Sequence, residues 1–442
     1  MLANVNIKDS SSLQLASDLL VERGHPKIKV RMSTDCTGSG INDAAYSPTF
    51  QYSTISDSLR LVKRNCWLSA GDVSRYFFEF PWANNVKHLF CFMFFGVLYQ
   101  FLKLCFGFTA CPYYCSTFSA EFGKWFLALG IETSFIMDDW LTSGETAKIA
   151  EDKMDLISDT LVSVGFTMAK EKKKVGQQLT WLGLYIDTIN MSLRIDPLSA
   201  LGFKLQLVEY YNTMKSCLLE LHTLRHIAGK LNWFSEIIQS GRLHIRSIWD
   251  LISNYPECTP QAKIQILEDF NWWIEKLDQW SKNDPSGNVH AILNGSELIA
   301  NPSWISICQS DASGTDGFGF VYSTLENSET YRWYSARWGP DLPMQSHEAE
   351  LRALHHFVLK VNHSGRKLII WITDNESAAW TVNRGHCADP RALPLLREIY
   401  HTCDLFCLQI IALWVPREQN YLTDFLSHYA YIIDRDFIEG KL

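Results

Sequence analysis

Two aspartates stand side by side in "SFIMDDWLTSG", residues 134–144, between an apolar run and a Ser/Gly turn. Upstream, "LSAGDVSRYFFEF" sets Asp72 in a strand-like run after a glycine, with aromatic residues following. Far downstream, Asp311, Glu350, Asp374 and Asp424 fall on four different expected elements, each at a strand end or on a helix beside a sheet. Carboxylates gathered in this way suit hard divalent ions, because magnesium takes oxygen ligands and keeps several waters, so that two to four acids suffice. Two such ions about 4 Å apart assist attack at phosphorus in a nucleic-acid backbone, one at the incoming and one at the leaving oxygen. A lone Asp-Asp pair is also an ordinary solvated turn or helix cap, so the chemistry depends on the other carboxylates.

These acids need elements to hold them. With 442 residues, 47% of them apolar and 20% charged, the chain has material for two or three domains with buried cores. After the aspartate pair, Ala150, Met154, Ile157, Leu161 and Val164 recur at spacings of four and three, which predicts one helix ending near Gly165. A basic turn, "KEKKKVGQQ", and an apolar strand, "LTWLGLYID", follow, so that the pair sits in a strand, turn, helix, strand succession of α+β type. Residues 196–285 read as helical, with tryptophans at core spacing, and "KNDPSGN" at 282–288 is the expected domain break. The final third reads as two strands around a glycine turn, a helix at "HEAELRALHHFVLKV", a strand delivering Asp374 into a helix, and a strand, loop and helix carrying Asp424.

Other classes are less well supported. "LFCFMFFGVLYQFL", residues 89–102, falls short of the roughly 20 residues of a membrane span and is divided by Gly96, so it reads as two buried core strands. Twelve cysteines without regular spacing and without a preceding secretory signal point to free thiols in an intracellular compartment, cytoplasmic or nuclear. Cys111 with Cys115, and Cys403 with Cys407 near His401, lack the second pair of a zinc finger. The formal charge of -8 decides little, since carboxylates gathered for metals also lower it.

The ordered succession "GDVSRYF", "LCFGFTACP", "FIMDDWL" and "LTWLGLYID" resembles a retroelement reverse transcriptase. The final third resembles ribonuclease H through "SDASGTDGFGFVY", "AELRAL", "TDNESA" and "REQNYLTDFLS". Together the resemblances cover about residues 27–428 and look most like DIRS-type tyrosine-recombinase retrotransposons, with gypsy-like and caulimovirus-like elements close by. They imply an α+β right-hand polymerase with fingers, palm and thumb, followed by an α/β ribonuclease H-like domain. The implied division is fingers and palm over 1–195, a helical thumb or connection over 196–285, the nuclease over 286–428 and a tail over 429–442.

Residue by residue, the resemblance makes Asp72 and Asp138 the chief polymerase metal ligands, with Asp139 completing the cluster. Phe77 matches the steric gate against a ribose 2′-hydroxyl, Arg31 the fingers arginine on the triphosphate, and Phe106 with Gly107 the loop against template and nucleotide. Lys172 fits the lysine that assists pyrophosphate departure, although Lys170, Lys173 and Lys174 leave the register open. Asp311, Glu350, Asp374 and Asp424 would hold two metal ions in the nuclease, with Asn375 and Asn420 as hydrogen-bonding neighbours either to the substrate backbone or to a helix end. Implied cofactors are two magnesium ions per site, or manganese. Implied partners are an RNA template, a DNA primer, an RNA-DNA hybrid and deoxynucleoside triphosphates, without a membrane. Ile136 stands where the family has Tyr or Phe, and Cys105 where proline is common. The sequence shows no aspartic-protease, zinc-knuckle or tyrosine-recombinase motif, and a catalytically decayed scaffold or a nuclease acting alone are the alternatives.

Overall fold

The structure is a computed structural model that describes residues 2–4, 17–23, 29–282, 290–327, 331–339, 344–361, 363–387, 389 and 391–428. They divide into two compact units, one within residues 1–182 plus 187–190 and one within 183–186 plus 191–442.

The first unit is built on one antiparallel sheet in the order Thr133–Ile136, Asp139–Gly144, Trp67–Asp72, Lys174–Gly176. Leu68 through Asp72 are all buried, because "LSAGD" has a strand on either side and a helix across its face. That helix, Ala147–Ser163, starts at Thr146, whose hydroxyl accepts from the Ile149 backbone N–H, and it buries Ala150, Met154, Ile157 and Leu161. A Cβ at Gly71 would lie 2.8 Å from the Met154 sulfur, so a glycine beside Asp72 lets the helix close on the strand. Val164, expected on the same face, is 53% exposed, since the helix ends before it and Gly165 turns away at φ 101°.

Three further expectations change here. The aspartate pair is followed by a strand, not directly by a helix: Met137 adopts φ 58°, the chain reverses, and "DWLTSG" pairs back as a strand. The apolar run at 89–102 does form two strands, Cys91–Phe94 and Val97–Phe101, joined at Phe95 and Gly96. It is only half core, however, because a hairpin can bury its base while its tip projects. Phe92 and Phe101 are buried, whereas Met93, Phe94, Phe95 and Val97 are exposed. The expected strand "LTWLGLYID" is likewise two, Gln178–Trp181 and Leu184–Asp187, broken where Leu182 and Gly183 both take positive φ.

The second unit contains the helices Pro197–Ser216, Leu221–Phe234, Arg246–Ser253 and Pro260–Ser281, with Trp273 and Trp280 in the core as their spacing predicts. It also holds a five-stranded sheet in the order Arg332–Arg337, Gly317–Thr324, Ile305–Ala312, Leu368–Thr373, Gln409–Trp414. The first three strands are antiparallel and the last two run parallel to Ile305–Ala312. Helices Ser346–Lys360, Glu376–Arg384, Ala392–Leu405 and Tyr421–His428 complete it. The expected break at 282–288 falls, from 283 onward, outside the described residues.

The helices before that break and the sheet after it belong to one unit, tied by a buried acid. The Asp269 carboxylate, 1% exposed, accepts from His244 Nδ1 at 2.9 Å, Ser247 Oγ at 2.6 Å and Arg397 Nη2 at 3.4 Å. Asp404 accepts from Ser240 Oγ at 2.8 Å and faces Lys276 Nζ at 3.5 Å.

Candidate active sites

The first site forms at the end of the central strand of the first unit. Asp72 and Asp139 are register partners on adjacent strands, which places their side chains on one face, and the Val73 N–H donates to the Asp138 carbonyl at 2.9 Å. The hairpin turn at Met137 and Asp138 thereby brings all three acids to one edge. Burial raises the Asp139 carboxyl to about 7, and the charges of Asp138 and Asp72 add to the effect. In the lysine run, Lys172 is paired with Asp72. Its Nζ meets Asp72 Oδ1 at 2.8 Å, and although burial opposes its charge, the Asp72 bond and the neighbouring aspartates hold its pKa above the ordinary value.

Two of the residues expected to meet a nucleotide pack against each other. Phe77 packs edge to face against Phe106 with centroids 5.0 Å apart. Phe106 is held by Thr34, whose backbone N–H and hydroxyl both donate to its carbonyl, at 2.9 and 2.6 Å. Gly107 takes φ 106°, and a Cβ there would lie 1.7 Å from the Thr34 carbonyl oxygen, so no other residue fits without moving the strand. The Gly107 carbonyl accepts from Asn42 Nδ2 at 2.9 Å. Arg31 lies on strand Lys29–Asp35 opposite Val21, and its side chain is outside the described set. The expected place of proline, Cys105, is buried against Thr34, which donates to its sulfur at 3.4 Å.

The second site forms on the mixed sheet of the second unit. Asp311 ends the central strand, Asp374 follows the neighbouring parallel strand, and Glu350 projects from the helix across them. One carboxylate oxygen from each of the three lies within 4.8 Å of the others. Glu350 is 2% exposed, accepts from the Ala312 N–H at 3.0 Å and from the Thr373 hydroxyl at 3.2 Å, and burial followed by the charges of Asp311 and Asp374 pushes its carboxyl well up. Burial likewise raises Asp311 to about 6, against a hydrogen bond from the Ser427 hydroxyl and with the charges of Asp374 and Asp424. Glu348, the other acid of the helix, is buried against Arg352 at 3.0 Å. Neither glutamate lies on an exposed face.

Asp424, the fourth expected acid, is held differently. Its Oδ1 accepts from Arg417 Nε at 3.1 Å and Nη2 at 2.5 Å, and His428 Nε2 stands 3.9 Å away. Sequence reasoning missed Arg417, Ser427 and His428. The only signal was their position, with Ser427 and His428 three and four residues after Asp424 on one helix. Asn375 caps the helix Glu376–Arg384, and Asn420 is wholly buried, donating to the Ser310 carbonyl at 3.0 Å, so both position elements.

Both clusters suit a hard divalent cation. Their donors are carboxylate oxygens, and the raised values of Asp139, Asp311 and Glu350 show like charges brought together out of water, which a bound cation would relieve. Among the described residues the group of three or more donors this close is Asp311, Glu350 and Asp374, while Asp72 is engaged by Lys172. The cysteines expected to be thiols are free, and Cys111 and Cys115 are core residues of the helix Cys111–Ala128.

Residues 26–186 match the family described as reverse transcriptase (RNA-dependent DNA polymerase). The first unit thus carries a reverse transcriptase domain, with Asp72, Asp138 and Asp139 inside the matched span. Curated proteins give no match. Among solved structures, a foamy viral protease-reverse transcriptase in complex with double-stranded DNA is similar at 15% identity and TM-score 0.49, over 94% of this chain and 66% of that one. A second such complex gives 15% identity and TM-score 0.47 over 94% and 79%, and one with an RNA/DNA hybrid 14% and 0.38 over 92% and 73%. The chain therefore spans just under two thirds of the first of these proteins. No helix among the described residues is long and apolar enough to cross a membrane.

Proposed function

We propose that this chain is a retroelement RNA-directed DNA polymerase joined to a ribonuclease H, of the DIRS-like kind. The observation that carries the reading is the meeting of Asp72, Asp138 and Asp139 at one sheet edge inside the matched domain, with Lys172 on Asp72. In this reading residues 1–195 are fingers and palm, 196–285 a thumb or connection, 286–428 the nuclease and 429–442 a tail.

Asp72 and Asp138, with Asp139, would hold two magnesium or manganese ions. When bound, such ions activate the attacking oxygen and stabilise the leaving one. The chain supplies the rest. The Asp-Asp hairpin fixes the acids at the primer terminus, and Arg31 engages the deoxynucleoside triphosphate through its guanidinium. Phe77, braced by Phe106, closes the space a ribose 2′-hydroxyl would need, while Gly107 lets backbone approach template and nucleotide. Lys172, kept protonated beside Asp72, gives its proton to departing pyrophosphate.

In the nuclease, Asp311, Glu350, Asp374 and Asp424 would hold the same kind of ion and cut the RNA strand of a hybrid. Strand choice would rest on backbone and 2′-hydroxyl contacts rather than base reading. The test is magnesium-dependent extension of a DNA primer on an RNA template, with cleavage of a labelled RNA-DNA hybrid beside it. Both activities are expected from the wild-type chain. Their absence from folded protein, with either metal, would contradict the reading.

A further inference from the structure

Three acids of the second site converge while the fourth is turned to a cation of the chain's own. Arg417 places two guanidinium nitrogens on one oxygen of Asp424, at 3.1 and 2.5 Å, from a short 3-10 turn that precedes the helix carrying that aspartate. Its side chain is 68% exposed against 30% for the aspartate, so the guanidinium lies at the surface and can leave without unpacking anything. On the same helix Ser427, one turn after Asp424, donates to Asp311, and His428 Nδ1 stands 3.3 Å from Asp316. An exposed ion pair of this type gains little from solvent-screened attraction, and a phosphate, which matches the planar fork of a guanidinium, competes well for it.

We propose that Arg417 is a positioning residue that holds Asp424 back from Asp311, Glu350 and Asp374 until a phosphate of bound nucleic acid draws the guanidinium away. The fourth carboxylate is then released to the cluster only when substrate is present. This couples completion of the site to occupancy by the hybrid, and it keeps free divalent ions from saturating four carboxylates in the idle protein. The inference rests on the nuclease reading above.

The test is a manganese-binding titration followed by electron paramagnetic resonance of free Mn²⁺. It uses the full chain carrying Asp72→Asn and Asp138→Asn, which removes the polymerase ligands, with Arg417 intact or replaced as Arg417→Met or Arg417→Lys. Each is titrated alone and with a hybrid whose RNA strand is 2′-O-methylated and so resists cleavage. Without nucleic acid, Arg417→Met is expected to bind Mn²⁺ up to about five-fold more tightly than the intact chain, with Arg417→Lys between them, because the ion pair no longer competes. With hybrid the intact chain should tighten and the gap should close. Structural damage would weaken binding, so a tighter variant separates the two causes. Equal, measurable affinities without hybrid, or a gap that hybrid leaves unchanged, would overturn the role of Arg417 while leaving the nuclease reading standing. No Mn²⁺ bound by any form, with hybrid or without, would overturn both.

Discussion

Replacing Asp311 by asparagine should abolish hybrid cleavage and yet stabilise the metal-free protein at neutral pH. Asp311 is 7% exposed, and its carboxyl is raised from 3.8 to about 6 by burial, with Asp374 and Asp424 adding to it. The sign follows from linkage: the folded chain binds this proton more tightly than the unfolded chain, so the stability it contributes is full below pH 3.8 and is lost as pH rises through about 6. Above that the ionised group costs about 3 kcal/mol. Asparagine keeps an acceptor for the Ser427 hydroxyl but buries an amide N–H₂, a loss of roughly 1 kcal/mol. The variant should therefore be about 2 kcal/mol more stable at pH 7 and roughly 0.5 kcal/mol less stable near pH 4, with the curves crossing between. Urea unfolding of chelator-treated protein, followed by tryptophan fluorescence, measures this, since Trp371 is buried in the same core. A variant no more stable than wild type at every pH from 4 to 8 would refute the picture of carboxylates crowded out of water.

Other perturbations separate shape from chemistry. Gly107→Ala, with a Cβ 1.7 Å from the Thr34 carbonyl and φ 106°, should destabilise by more than about 2 kcal/mol in chemical unfolding, and an unchanged midpoint would show that the loop adapts freely. Asp269→Ala strips the acceptor from His244, Ser247 and Arg397 and should cost about 3 to 5 kcal/mol, whereas a loss below about 1 kcal/mol would mean the buried network is not holding the unit together. Phe77→Ala should raise ribonucleotide use relative to deoxynucleotide by at least about ten-fold in steady-state incorporation, and an unaltered ratio would reduce Phe77 to a packing partner of Phe106.

What the sequence allowed follows from range. The burial of Ala150, Met154, Ile157 and Leu161 follows from local periodicity, which residue spacing records directly, whereas the order of the motifs is legible only through the family resemblance. The strand after Asp139 was not legible, because "LTSG" has turn chemistry and only pairing with Trp67–Asp72 makes it extended. The exposed hairpin tip at Phe94 and Phe95 defied hydrophobicity, which reports preference and not position. Which of the four lysines at 170–174 meets Asp72 depends on the fold of the turn and is not written in the run itself. Arg417 lies seven residues from its partner across a turn and a helix start, a spacing with no regular meaning. The burial of Asp269 depends on Arg397, more than a hundred residues away.

If the chain holds two independent carboxylate centres with different reactions, damage to one leaves the other working. Asp138→Ala and Asp374→Ala, each assayed for RNA-templated primer extension and for hybrid cleavage in magnesium, test it most directly. Loss of extension alone in the first and of cleavage alone in the second is the predicted result. Loss of both activities in either folded variant would contradict it.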